Sequence, residues 1–345
     1  MSNKVFVTGG NGFLALHLIA QLLRSNHTVI TSVRQLNKQS DVLDTLAKHH
    51  VPNLDQLSFV AADLTQAAGW EAAFADVDTV FSVAAPVFVN GEKTAAAMAN
   101  VATEGTMNIL TAAEKAGVRH VIMTANFGAV GFSNLDQNKI TTEDDWTDPD
   151  QPGLSLYERS KLLAEKAAWA FVHDDQHHLQ LTTINAGAML GPALNSHVSG
   201  SFGLVNNLLN GSTKLIPDIT VAVVDVRDVA ALHILAMQPP ALNHRFLAVA
   251  DQALSLPQMA ALIREKRPQL ASAITTKKLP NWVLNTAARF NQTAKEGNLM
   301  RRISHQVSNQ KAKDLLGWHP QYSAEEAVLA AADTLTQYGL VKAPS

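Results

Sequence analysis

The chain contains no cysteine. Disulfides, thiolate catalysis and cysteine-ligated metals are therefore excluded, and a reducing compartment is compatible with the composition. Long apolar runs are also missing. The richest stretch, Val221 to Met237, is interrupted by Asp225, Arg227 and Asp228, so no membrane span is expected. Positive charge is not in excess: 27 Lys and Arg face 30 Asp and Glu, a net charge of −3, which leaves no nucleic-acid footprint. The N-terminus reads as a strand rather than a signal peptide. No Gly-x-Ser-x-Gly elbow is present, against an α/β-hydrolase. His173 and His177 can share a helix face, with His178 following, but no carboxylate joins them at metal-ligand spacing in a cleft, so no metal is expected. With 47% hydrophobic and 17% charged residues over 345 positions, the composition predicts a cytoplasmic protein with a sizeable core, in one large or two modest domains.

The first motif is Val5-Phe6-Val7-Thr8-Gly9-Gly10-Asn11-Gly12-Phe13-Leu14-Ala15. A short apolar strand enters a glycine turn, and the turn opens a helical pattern in Phe13, Leu14, Leu16, Leu18, Ile19, Leu22 and Leu23. Unpaired N–H groups and the positive end of the helix dipole make such a turn an anion site. Gly9 and Gly12 leave room for a pyrophosphate, and Ala15 lets helix and strand pack closely. An ordinary βα turn holding glycines is the alternative.

Strand and helix patterns then alternate. Thr28 to Arg34 is a β-branched strand that ends Val33-Arg34, where an acidic residue would serve the ribose of NAD. Arg34 and Lys38 offer positive charge to a 2′-phosphate instead, which favours NADP; otherwise both are solvated cations. A helix over 41–50 precedes a third strand, Leu57 to Ala62, that ends at Asp63-Leu64. Asp63 accepts from an adenine amino group or caps the next turn. A fourth strand, Thr79 to Pro86, carries Val83, Ala84 and Ala85, small enough for a cofactor to approach. A helix over 94–117, closed by Gly117, leads to a fifth strand, Val118 to Ala125. This alternation predicts an α/β fold, a Rossmann-type doubly wound parallel sheet whose ligand edge lies at the carboxyl ends of the strands.

The second motif is Tyr157-Glu158-Arg159-Ser160-Lys161, opening a helix over 157–173. Tyr157 and Lys161 are four apart and share a helix face. The ammonium is expected to lower the phenol's pKa, and the pair to act as a general acid toward a carbonyl oxygen.

Together with Asn185 to Pro192 and Val224 to Ala230, and with the tail motifs Ser308 to Ala312 and Leu316-Gly317-Trp318, these segments resemble the extended short-chain dehydrogenase/reductases. Within that epimerase/dehydratase superfamily they are closest to the dihydroflavonol reductase-like aldehyde and ketone reductases. The resemblance implies hydride transfer from NADPH to a carbonyl, with Tyr157 as acid, Lys161 as its partner, and cofactor contacts from Thr8, Gly9, Asn11, Gly12, Phe13 and Leu14 as well as the strand-end residues above. It also implies a serine or threonine at the end of the fifth strand. That position is Asn126 here, with a turn residue after the strand as the alternative. An amide donates an N–H but has no rotating hydroxyl. Thr124 lies two residues back, on the same side of a strand, and its hydroxyl is expected to contribute. After a sixth strand, Leu179 to Ile184, Ala186 replaces the family's usual proline, and Met189 packs near the nicotinamide or in the core. Phe88, Phe127 and Phe132 wall a substrate pocket or belong to the core. The Arg227-Asp228 pair is expected to fix a strand-to-helix corner.

Beyond Gly191 the alternation fades. Val221 to Val226 and Phe246 to Ala250 are expected to return as strands to the main sheet. Residues 1–192 and about 221–254 would form the NADP-binding domain, and about 193–220 with 255–340 a mostly helical, discontinuous substrate lobe. The expected protein is a monomer or homodimer that reduces a small or medium apolar aldehyde or ketone. The alternatives are an NADP-binding sensor with little catalysis and a sugar-nucleotide epimerase or dehydratase. A pocket of Phe and Met with few basic residues argues against a diphosphate sugar.

Overall fold

The computed structural model describes residues 4–84 and 95–341. Ala85 and Phe88 lie outside the described residues. In chain order the first half contains β1 (Lys4–Val7), α1 (Phe13–Arg24), β2 (Thr28–Val33), α2 (Gln39–Lys48), β3 (Leu57–Ala61), α3 (Trp70–Ala73), β4 (Thr79–Ser82), α4 (Ala95–Lys115) and β5 (His120–Asn126). Then follow α5 (Gly128–Gly131), α6 (Leu156–Val172), β6 (Gln180–Ala186), β7 (Ala188–Leu190), α7 (Phe202–Leu209), β8 (Thr220–Val221), β9 (Val223–Asp225) and α8 (Val226–Leu235). The chain ends with β10 (Arg245–Ala248), β11 (Leu254–Ser255), α9 (Leu256–Lys266), α10 (Asn281–Ala287), α11 (Gln292–Arg302), α12 (Gln310–Leu316) and α13 (Ala324–Gln337). Among the described residues no helix is long and apolar enough to cross a membrane.

Seven strands form one parallel sheet in the order β10-β6-β5-β4-β1-β2-β3. Order reverses between β1 and β4, which opens a crevice at their carboxyl ends. One face is covered by α3, α4 and α6, where Phe6, Trp70, Phe74, Val121 and Trp169 form a cluster. The other face carries α1 and α8, and its core runs on without a break into α7, α9, α12 and α13. The expected substrate lobe thus shares a hydrophobic core with the sheet.

Two sequence expectations change here. Only Arg245–Ala248 rejoins the main sheet, beside β6. Val221 to Asp225 instead divides between two small sheets, β8 with β11 and β9 with β7. Its β-branched pattern specifies a strand but not a partner. Arg227 pairs with Asp225, Nη2 to Oδ2 at 2.8 Å, rather than with Asp228. Asp228 accepts the N–H groups of Gln321 and Tyr322, each at 3.0 Å, and so anchors the C-terminal segment.

Candidate active site

A single cleft of about 1110 Å³ runs from the glycine turn to the start of α6. At the turn the walls are mostly backbone. Gly9 has φ +69°, and a Cβ there would stand 2.8 Å from the Cβ of Ala84. Only glycine takes this conformation without strain while letting β1 and β4 close on each other. Gly9 N–H donates to Ser32 Oγ at 2.8 Å, and Gly10 N–H to the Ser32 carbonyl at 2.8 Å. Gly12 is the N-cap of α1, and no side chain caps that helix. Its first N–H groups therefore remain for an anion, as a pyrophosphate requires. The cradle fits a dinucleotide.

Gly9, Asn11, Gly12, Phe13, Leu14, Arg34, Asp63, Leu64, Val83 and Ala84 all line this end. Thr8 does not: it is fully buried, and its Oγ1 accepts the N–H groups of Val83 and Ala84 at 2.9 Å each. It shapes the crevice by tying the two strand ends together. Lys38 also lies off the cleft, in a surface ion pair with Asp41 at 3.1 Å. Asp63 Oδ1 accepts from Thr65 N–H at 2.9 Å, the turn-capping geometry.

At the other end, Thr124, Asn126, Phe127, Phe132, Tyr157, Lys161, Ala186 and Met189 converge on the same cleft. Ser155 caps α6 by accepting Glu158 N–H at 3.1 Å, which starts the helix one turn before Lys161. Tyr157 is 46% exposed and lines the cleft. Desolvation of its hydroxyl against the cleft wall, and after that the neighbouring Glu158, push it up to about 12. This reverses the expected lowering by Lys161. The Lys161 ammonium is turned to the Thr124 carbonyl, at 3.3 Å, and burial itself lowers the Lys161 pKa, against the pull of Glu165 and Glu158.

The hydroxyl of Thr124 is also committed. His233 Nδ1 donates to the Val229 carbonyl at 2.8 Å, so Nε2 is the acceptor for Thr124 Oγ1 at 2.8 Å. Burial, which lowers His233 to about 4, keeps that ring neutral. Thr124 therefore has no hydrogen to offer a substrate while this bond stands. Asn126 Oδ1 accepts Ala129 N–H at 3.2 Å, and its Nδ2 donates to Glu158 Oε2.

Beneath this surface lies a buried polar network. Glu165, fully buried, accepts from Arg245 Nε at 2.9 Å, Asn185 Nδ2 at 2.7 Å and Thr183 Oγ1 at 2.9 Å. Asn185 Nδ2 also donates to the Asn126 carbonyl at 3.2 Å, and Arg245 stacks on Trp146 at 3.6 Å. A buried carboxylate is tolerated when its lone pairs are satisfied in this way.

Sequence reasoning assigned no role to Ser32, Glu158 or the lining residues His197, Asn207, Met300 and Ile303. Glu158 stands inside the Tyr-x-x-x-Lys motif and was legible as a charge beside the tyrosine. The others come from distant segments and carry no local signal.

Residues 6–252 match the 3-beta hydroxysteroid dehydrogenase/isomerase family. An anthocyanidin reductase from Vitis vinifera, the (2S)-flavan-3-ol-forming enzyme, is 32% identical over 278 residues, 76% of this chain and 80% of that protein. A putative NADPH-dependent methylglyoxal reductase from Candida albicans is 27% identical, covering 92% of this chain and 94% of that one. The solved structure of Gre2 in complex with NADPH from Candida albicans superposes with a TM-score of 0.77 at 26% identity, covering 97% and 99% of the two chains. The chain belongs to the 3-beta hydroxysteroid dehydrogenase/isomerase family and is an extended short-chain dehydrogenase/reductase of the dihydroflavonol reductase-like type, an oxidoreductase.

Proposed function

We propose that this protein is an NADPH-dependent reductase of a small or medium apolar aldehyde or ketone, with Tyr157 as the proton donor. The observation that carries the proposal is one cleft with the glycine cradle at one end and Tyr157 with Lys161 at the other. The Gly9–Leu14 turn would hold NADPH, with Arg34 toward its 2′-phosphate and Lys161 toward its ribose, and the bound cofactor would supply the hydride.

The chain's own residues handle the oxygen. An alkoxide formed in the cleft is a stronger base than the Tyr157 phenolate and takes the Tyr157 proton. A phenol held up at about 12 keeps that proton throughout the working range. Lys161 supplies positive charge that steadies the phenolate left behind. Asn126 offers an N–H to the carbonyl oxygen. Phe127, Phe132, Met189, Leu204, Met300 and Ile303 make the walls around the substrate apolar. Among the described lining residues Arg34 and Lys161 are the only Lys or Arg, too few for a diphosphate sugar as well as a dinucleotide, so the epimerase reading is weaker. The helical segments 193–220 and 255–340, proposed as the substrate lobe, contribute His197, Asn207, Met300 and Ile303 to the cleft.

The test is NADPH consumption against a panel of aldehydes, ketones and diketones, with NADH in parallel. Turnover that Tyr157→Phe removes while NADPH still binds is the expected result. Tight NADPH binding with no turnover of any carbonyl would replace the reductase with a sensor.

A further inference from the structure

Glu158 has no task in the reaction as proposed, yet three elements are arranged around its carboxylate. It occupies the first turn of α6, next to Tyr157, and lines the cleft. Its Oε2 accepts from Asn126 Nδ2 on β5. Gly128 of α5 leaves the space it occupies; a Cβ at that glycine would collide with the carboxylate. Asn126 is thereby held at both ends. Its Oδ1 takes Ala129 N–H at 3.2 Å, its backbone carbonyl takes Asn185 Nδ2 at 3.2 Å, and one N–H goes to Glu158. The second N–H of Nδ2 has no partner among the described residues, and Asn126 lines the cleft.

We infer that Glu158 is a positioning residue: its carboxylate orients the Asn126 amide so that the free N–H meets the substrate's carbonyl oxygen. This inference rests on the carbonyl-reductase reading. A hydroxyl in this position would find its acceptor by rotating about one bond. A planar amide has a donor end and an acceptor end and must be oriented from outside. Thr124 is occupied by His233 and does not substitute for it. An ionised carboxylate only accepts, so it selects the donor end of Asn126; a protonated one also donates, and the selection then rests on the Ala129 N–H alone.

The switch falls in the working range. Burial raises Glu158 to about 7, opposed by the Asn126 hydrogen bond and the Lys161 charge and reinforced by Glu296 of α11. Among the described residues, Lys161, Glu296 and the Tyr157 hydroxyl are the titratable groups that face it. Above about 7 the carboxylate holds the amide; as pH falls through that value the hold loosens. Reduction therefore declines on the acid side of neutrality.

The experiment measures kcat and KM against pH for the wild type, Glu158→Gln and Glu158→Ala, on an aldehyde the wild type reduces. The wild type is expected to show an acid limb in kcat near 7. Glu158→Gln keeps a carbonyl acceptor that does not titrate; it loses roughly threefold at the plateau, because the bond is no longer charge-assisted, and loses the limb. Glu158→Ala loses about tenfold in kcat, part of the full effect of a missing oxyanion donor, with KM for NADPH unchanged. Asn126→Ser added to Glu158→Ala recovers turnover, since serine needs no external orientation. NADPH binding and Tm identify a variant that merely misfolds, and Glu158→Gln then decides alone. An acid limb that persists unchanged in Glu158→Gln, or a wild-type kcat in Glu158→Ala, overturns the inference and leaves the reductase reading intact. A wild type that reduces no carbonyl removes that reading and this inference with it.

Discussion

At the glycine turn the cleft is lined mainly by one short run of sequence, Gly9 to Leu14, joined by the strand ends at Arg34, Asp63 and Ala84. At Tyr157 it is lined by side chains that converge from β5, the two ends of α5, α6 and α11. The first end is made rigid by sterics: φ +69° at Gly9 and the Ala84 contact leave little freedom. The second is held by hydrogen bonds and charges, each of which depends on its neighbours. Pyrophosphate is the same in every dinucleotide, so a fixed backbone cradle serves it. Proton delivery to a substrate oxygen needs groups whose acidity is set by burial and by other charges, and those are tertiary quantities.

Variants at the two ends are expected to fail in different ways. The largest effect belongs to Tyr157→Phe. It should lower carbonyl reduction by about 10²–10⁴-fold, the worth of a general acid, with the NADPH Kd unchanged by fluorescence titration. A parallel loss of NADPH binding would mean that the two ends are not separable. Gly9→Ala should do the reverse. Forcing alanine into the left-handed region against Ala84 costs about 1–3 kcal/mol of stability, read as a lower Tm, and weakens NADPH more than tenfold. Arg34→Ala is narrower still. Loss of a charge-assisted phosphate contact should weaken NADPH by about tenfold and leave NADH unaffected. Equal losses for both cofactors would place the 2′-phosphate elsewhere.

The smallest effect comes from buried histidines. Burial lowers His17, His120 and His233 to about 4 from an ordinary 6.5. Between those values the unfolded chain takes up protons that the native state refuses. Stability is therefore present above 6.5 and is lost as pH falls toward 4, by about 1.4 kcal/mol per pH unit for each histidine. Glu158, raised to about 7, acts in the opposite sense over its own range, since its native state binds a proton more tightly than the unfolded chain. Denaturant titrations between pH 6.5 and 5.5 should show a net decline that His233→Gln reduces by about 1 kcal/mol. An unchanged slope would show that His233 does not remain neutral in the fold.

Much of the frame was legible because it is local. Apolar strands and helical spacing placed β1 to β6 within a few residues, and the order of alternation implied the parallel sheet. The cradle was legible because a glycine turn between a first strand and a helix, at the edge where ligands bind, fits a pyrophosphate. The failures share a cause as well. The Val221 to Asp225 segment reads as strand, but its pairing with β7 and β11 depends on where those short strands lie in space. Thr124 stands on the same strand face as Asn126, and nothing in the sequence says that His233, 109 residues away, takes its hydrogen. Lys161 four residues from Tyr157 suggested a lowered phenol pKa; burial and the adjacent Glu158 gave the opposite sign.

The amino-acid sequence by itself determined the fold class, the dinucleotide cradle and the Tyr157–Lys161 pair, because each is set by backbone geometry or helical spacing within one short segment. Only the tertiary structure decided what those groups do together: that Thr8 ties β1 to β4, that Thr124 is already donating, and that Glu158 and Asn126 meet across the sheet edge. Hydrogen-bond partners and desolvation arise between segments far apart in the chain, and they come into being only when the chain packs.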